Sequence, residues 1–413
     1  MSDTERRLRE ILGSEFLRPA GAADEVAGVP ARWVARPGTV DTVVEVLQLA
    51  AERDLTVVPC GAGTKIDWGW SPPHVDVLLD TGRLAGVQLG DGDVVEVDAG
   101  TPVRGMQANL AGHKRRVSID VRSAGATVGG VVATDEAGPL RLSQRDPLTA
   151  VSYVDASGVL TRVETSAARS ASEVDRLRMC CEPERPQVVL VSAAFRVQPV
   201  PEKQVWVSYP VRELPELSPM VSMIISGAAP DAIEVDLPPV DVPGKREIAG
   251  TLTVLLEGDR SEVAERQAML ARSTGRAAHL TATAPRWWLR YPFEPGNVAL
   301  RIEIPTEYLF NVALALYDVF HGAVAIRGSA GLGVLYAGLP ANTEPKRVTR
   351  ALEGLRHVLH SRRGRCLVVA APPAVRREID PWDLMHPVPL LHRLVEGLDP
   401  DPRSGLGHLP GGG

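Results

Sequence analysis

The run Val57-Val58-Pro59-Cys60-Gly61-Ala62-Gly63-Thr64-Lys65 is the part of this chain best suited to chemistry. A short apolar stretch breaks there into a glycine-rich turn. Small residues leave backbone N–H groups open to close approach by a diphosphate. The run follows Thr39–Arg53, where Val43, Val44, Val46, Leu47, Leu49 and Ala50 fall near helical spacing. The order helix, buried strand, glycine loop points to a nucleotide cofactor, yet neither common nucleotide motif fits. A P-loop needs Gly-Lys followed by Ser or Thr, whereas Lys65 follows Thr64 and precedes Ile66. The dinucleotide fingerprint needs Gly or Ala three residues after its second glycine, and Ile66 stands there. Taken alone, the loop could equally be a tight turn between two strands.

A second cluster, Gly125-Ala126-Thr127-Val128-Gly129-Gly130-Val131-Val132-Ala133-Thr134, has the same character. Strand-like runs at Val75–Leu79, Gly86–Leu89 and Val94–Val97 lie between the two. Two glycine turns on one small α/β unit could clamp one extended ligand.

Five segments in order resemble the FAD-binding domain of the vanillyl-alcohol oxidase (PCMH-type) family. They are Arg36–Val40, Val58–Lys65, Leu79–Leu84, Val97–Pro102 and Ala126–Ala133. Within that family they are most similar to the smaller FAD-binding subunit of glycolate oxidases. The resemblance implies an α+β fold, with two subdomains holding FAD between them and an α+β cap over the flavin ring. It implies that Pro59, Cys60, Gly61, Ala62, Gly63, Thr64 and Lys65 take the pyrophosphate. Thr127, Gly129, Gly130 and Thr134 would lie along the second half of the cofactor. Covalent members often carry a histidine in or beside the first loop. None stands there, so the implied FAD is non-covalent. For Cys60 the expected role is that of a small buried residue.

The chain departs from the pattern in three places. The family's Arg-Tyr-Gly element is shortened, so that Arg145-Asp146 follows Ser143-Gln144 directly. Asp135 replaces the family's asparagine, an acceptor-only group beside a diphosphate. Glu164–Leu190 lacks the glycine turn that flanks the ribityl chain and ring, and no glycine occurs from Val159 to Ser226. Several φ > 0 positions are costly to supply without glycine. The flanks Val151–Leu160 and Val188–Pro201 still read as strands.

Composition sets outer limits. The 413 residues suffice for more than one core. A hydrophobic share of 44% with 4% aromatics puts the core on Val, Leu and Ala. A net charge of −6 with mixed signs argues against a nucleic-acid surface. Cys60, Cys180, Cys181 and Cys366 show neither zinc spacing nor a disulfide framework, which fits a reducing cytosol. No apolar run reaches the ~18 residues of a membrane span, so any membrane contact is expected through a partner.

The expected organisation is a helical lead and linker over 1–32, the FAD-binding domain over 33–201, a cap over 202–397 and a loose tail over 398–413. In the cap, strands are expected at Val205–Tyr209, Gly250–Leu256, Val298–Ile304, Ala323–Ile326, Gly333–Ala337 and Cys366–Ala371. Helices are expected at Glu262–Ser273, Leu309–Phe320 and Lys346–Leu359. This pattern suggests helices on one face of a mostly antiparallel sheet.

Other candidates carry less. Arg286 and Arg290 flank Trp287-Trp288 and could hold an anionic 2-hydroxy acid on the cap, or the aromatics could pack cap onto core. His357 and His360 share a helix face crowded by arginines, which opposes a metal. Arg327–Gly333 reads as a hairpin. No catalytic base can be named; His279 and His321 stand only by default. Two functions remain open. One is a flavoprotein subunit oxidising a small 2-hydroxy acid such as glycolate or lactate. The other is a scaffold that has weakened or lost FAD and docks to a larger FAD subunit and an iron–sulfur subunit.

Overall fold

In the computed structural model, which describes residues 2–69, 71–90, 92–134, 136, 138–142, 147–164, 188–240 and 247–379, three large sheets carry the described residues, with Arg115–Arg116 and Gln198–Pro199 forming a further two-stranded pair. The first is built by the segment that opens on the glycine loop. Val29–Ala35, Val75–Asp80 and Val57–Cys60 pair in parallel in that order, and Leu17–Pro19 adds antiparallel at the edge. The crossover helix Val40–Arg53 starts where the Thr39 hydroxyl accepts the Thr42 N–H at 3.2 Å. It buries Val43, Val46, Leu47 and Ala50, the stripe its spacing predicts. Residues Leu17–Pro19 and Glu25–Val26 are strands, so the expected N-terminal linker is in part sheet.

The second sheet is antiparallel, in the order Leu160–Glu164, Leu148–Asp155, Val188–Arg196, Val94–Asp98, Val87–Leu89. The single strand expected over Val151–Leu160 is two. The Asp155 carboxylate accepts the amides of Ser157 and Val159, and Gly158 sits at φ +82°. An Asx turn thus reverses a chain that apolar content alone would extend.

The third sheet has eight antiparallel strands drawn from residues 203–370. Their order is His279–Thr281, Lys203–Glu213, Glu247–Gly258, Ala232–Leu237, Ala325–Ser329, Val334–Leu339, Val298–Glu303, Arg365–Ala370. One face packs on the helices Leu217–Ala228, Arg260–Thr274, Leu309–Val319 and Pro345–His360 to make the largest core. The expected cap strands and helices are all present. Arg327–Gly333 lies in a hairpin, whose Gly333 has φ +69° and no room for a Cβ beside the Ile304 carbonyl.

The other face of this sheet turns to the first two. Along Val298–Glu303 the residues Val298, Leu300 and Ile302 enter the helical core, which leaves Ala299, Arg301 and Glu303 on the opposite face. There Trp68, from just beyond the glycine loop, packs with Ala299, Leu367 and Val369. The Gly69 N–H donates to Val369 O at 3.2 Å. The cap is therefore bound directly to the end of the loop most suited to chemistry.

Candidate functional site

A single cleft collects the two glycine turns. Pro59 to Ile66 line it from one side; Thr127, Gly129, Gly130, Ala133 and Thr134 line it from the other. Val188, Leu190, Leu367 and Val369 supply apolar walls, and Arg301 reaches it from the cap sheet. All eleven residues expected to touch a cofactor are thus brought together. Arg286 and Arg290 are not among them. Both are exposed, and Arg286 lines a shallow depression at the other end of the cap with His279 and Thr281. His279 and His321 are likewise exposed. Trp287 and Trp288 pack with Trp206 and Leu255 of the cap and, through the same cluster, with Leu140 from before it, the cap-onto-core alternative. Asp135, Ser143–Asp146, most of Glu164–Leu190 with Cys180-Cys181, and the tail beyond Ile379 lie outside the described residues.

The two turns are chemically unequal. In the second, the protein already uses the amides: Val128 N–H donates to Thr101 O at 2.9 Å and Gly129 N–H to Ala99 O at 2.8 Å. Gly130 N–H is taken by the Thr127 hydroxyl at 3.3 Å. In the first turn, among the described residues, no acceptor takes the amides of Ala62, Thr64 or Lys65. Main-chain donors left over in a lined cleft are suited to an anion. The second turn serves as a wall of small residues. A Cβ on Gly129 would stand 2.8 Å from that of Ala99, so this wall cannot thicken.

Lys65 does not project freely. Its ammonium pairs with Glu136, and both side chains are almost wholly buried. Glu136 also accepts the Tyr291 hydroxyl at 2.7 Å and the Arg122 N–H at 3.0 Å. Behind it, Arg122 pairs with Glu234 of the cap at 2.6 Å. Burial opposes the charge on Arg122, but the Glu234 carboxylate outweighs it and keeps the guanidinium protonated. Burial, with Tyr336 and Glu136 nearby, pushes the Tyr291 phenol well above its ordinary range, so it donates as a neutral hydroxyl. Arg301 donates to Thr134 O at 3.2 Å and pairs with Glu303 at 2.8 Å. Glu303 also pairs with Arg365; against the cost of burial, the two cations hold its carboxyl below the usual range. Burial and the nearby Asp80 carboxylate push the Cys60 thiol up to about 11, so it is a neutral lining atom near pH 7.

Residues 31–164 match the family model for an FAD-binding domain. This segment is an FAD-binding domain. The match begins within the first parallel sheet and ends with the strand Leu160–Glu164, so it spans both glycine turns. No curated protein sequence matched the chain. Among solved structures, an alkyldihydroxyacetonephosphate synthase superposes with a TM-score of 0.73 at 13% identity, covering 99% of this chain and 86% of that one. Xylooligosaccharide oxidase from Myceliophthora thermophila C1 gives 0.66 at 14%, with 99% and 100% covered. The 4-ethylphenol oxidase from Gulosibacter chungangensis gives 0.69 at 13%, with 99% and 97% covered. These likenesses establish the fold: an α+β chain with a two-subdomain PCMH-type FAD-binding domain and an α+β cap.

The residues fit the cofactor. The unengaged amides of Ala62, Thr64 and Lys65 suit its pyrophosphate, and the thin wall at Gly129 suits an extended dinucleotide. Sequence reasoning missed Arg301 and Glu136. The signal for Arg301 was a charged residue alternating with Val298, Leu300 and Ile302 inside an interior strand, where the second face must also be covered.

Proposed function

We propose that the chain is an FAD-dependent oxidoreductase, or the flavin subunit of one, acting on a small anionic substrate of the 2-hydroxy-acid class such as glycolate or lactate. The observation that carries this reading is Arg301. Its guanidinium lines the same cleft as the pyrophosphate loop and lies on the cap face that closes over it. Both charged residues lining the cleft are ion-paired, Lys65 with Glu136 and Arg301 with Glu303, and of the two only Arg301 comes from the cap sheet. Guanidinium matches a carboxylate through two parallel N–H···O bonds, which suits it to fix a 2-hydroxy acid in one orientation. Under this reading Arg301 takes the carboxylate-binding role that the sequence offered as one alternative for Arg286 or Arg290. When bound, FAD supplies the hydride acceptor. The chain's own groups orient the substrate, and Leu367, Val369, Val188 and Leu190 limit water at the cleft.

The test is anaerobic mixing of the FAD-loaded protein with glycolate or lactate. Loss of the flavin band near ~450 nm supports the reading. A band unchanged by a panel of 2-hydroxy acids would reject the substrate class.

A second reading is favoured by one observation. Among the described residues no His, Asp or Glu lines the cleft, so no group there is set to take the hydroxyl proton. Under this reading the chain is a scaffold that docks to a larger FAD subunit and an iron–sulfur subunit. Flavin reduction only after those partners are added would support it.

A further inference from the structure

We propose that Glu136 is a positioning residue for the cofactor loop, holding Gly61–Lys65 in the shape that receives FAD and tying that shape to the cap. The proposal rests on the FAD reading of the cleft and adds the element that sets its geometry.

The loop is fixed at two points. At its start, Gly61 packs directly against the Thr127 side chain. At its end, the Lys65 ammonium is held by Glu136 in a buried ion pair. Between these points lie the amides of Ala62 and Thr64, which no described acceptor takes. Such donors serve an anion only if the backbone presents them together. With both ends held, the intervening turn has little freedom, and Gly63 at φ +68° supplies its bend.

Glu136 is suited to this because it is the meeting point of three elements. It follows the short helix Val128–Ala133 and donates its own N–H to Val131 O at 3.1 Å. It accepts the Arg122 N–H from the segment that precedes that helix. It accepts the hydroxyl of Tyr291, whose ring stacks on Phe293 and meets Tyr336 of the cap sheet edge-on. A displacement of the cap is thus transmitted through Tyr291 and Glu136 to Lys65. A buried carboxylate with two hydrogen-bond donors and one ion-pair partner is also a stiff joint, since releasing any one leaves a desolvated group.

A rival role gives the opposite sign. If Lys65 served as a direct phosphate ligand, Glu136 would be its competitor, and removing the carboxylate would tighten FAD. The test is FAD titration of the full chain by flavin fluorescence, with thermal unfolding of the flavin-free protein run in parallel. The variants are Glu136→Gln, Lys65→Met and the double variant. Glutamine still accepts from Tyr291 and Arg122 but ends the pairing with Lys65. The proposal expects Glu136→Gln to weaken FAD by about 10- to 100-fold, the range seen when a partner of a ligating group is removed. It expects the double variant, which buries neither charge, to regain its unfolding temperature but not its FAD affinity. Unchanged or tighter FAD binding by Glu136→Gln overturns it. So does a double variant that regains both stability and affinity, because Glu136 would then act on folding alone. A wild-type chain that takes up no FAD removes the underlying FAD reading instead, and the proposal with it.

Discussion

Gly61 and Thr127 lie so close that a methyl group on Gly61 would overlap the Thr127 hydroxyl. These residues, one from each glycine turn, therefore bring the two turns into direct contact at the cleft wall. The Thr127 hydroxyl cannot simply rotate aside, because it accepts the Gly130 N–H and caps the helix Val128–Ala133. Gly61→Ala should weaken FAD binding at least about tenfold and cost about 1–3 kcal/mol of stability, as overpacking does. Titration with FAD and urea unfolding of the same variant check both numbers.

Arg301 carries the substrate assignment. Arg301→Met should raise the KM for a 2-hydroxy acid about 10- to 100-fold, the range for a lost hydrogen bond to a charged group. FAD affinity should stay within a few fold. Arg286→Met and Arg290→Met should leave KM unchanged, since neither side chain lines the cleft. Steady-state kinetics on the three variants would decide between the two locations.

Arg122 and Glu234 join the FAD-binding half to the cap through a pair that is almost fully buried. Glu234→Leu would leave a desolvated guanidinium and should cost about 3–5 kcal/mol. The double variant Arg122→Met, Glu234→Leu should recover most of that loss. Urea midpoints compared at equal slope measure it.

Asp120 supplies a pH dependence. Burial, aided by the Glu234 carboxylate and opposed by Arg122, pushes its carboxyl up to about 7 from an ordinary 3.8. Between those values the folded state holds more protons than the unfolded chain, so stability falls as pH rises. The contribution is whole below about pH 4 and is lost progressively toward pH 7, amounting to up to about 4 kcal/mol. Asp120→Asn should flatten this slope, so the variant gains on the wild type between pH 5 and pH 8. Unfolding measured across that range, with a wild-type slope no steeper than that of the variant, would refute the assignment.

The fold was legible in the sequence where one face of an element is apolar. The stripe of Val43, Val46, Leu47 and Ala50 marks its helix because the opposite face is solvated. Leu217–Ala228 escaped notice because Pro219, Ser222, Ser226 and Gly227 dilute its helical signal and it has no side-chain cap to mark a start. The split of Val151–Leu160 depends on one Asx turn that apolar content hides. The cleft was legible for a local reason: each glycine turn is contiguous in sequence. Glu136 and Arg301 were not, because their partners stand 71 and 167 residues away, at Lys65 and Thr134. A lone carboxylate or guanidinium has no meaning until the partner that neutralises or positions it is known.

The measurement closest to the central claim is direct: purify the chain, remove any flavin, and titrate it with FAD. If the amides of Ala62, Thr64 and Lys65 and the wall at Thr127–Gly130 form one dinucleotide site, the protein binds one FAD per chain and Gly61→Ala loses most of that affinity. A colourless protein whose fluorescence titration shows no FAD uptake, or binding that Gly61→Ala leaves intact, would contradict the account.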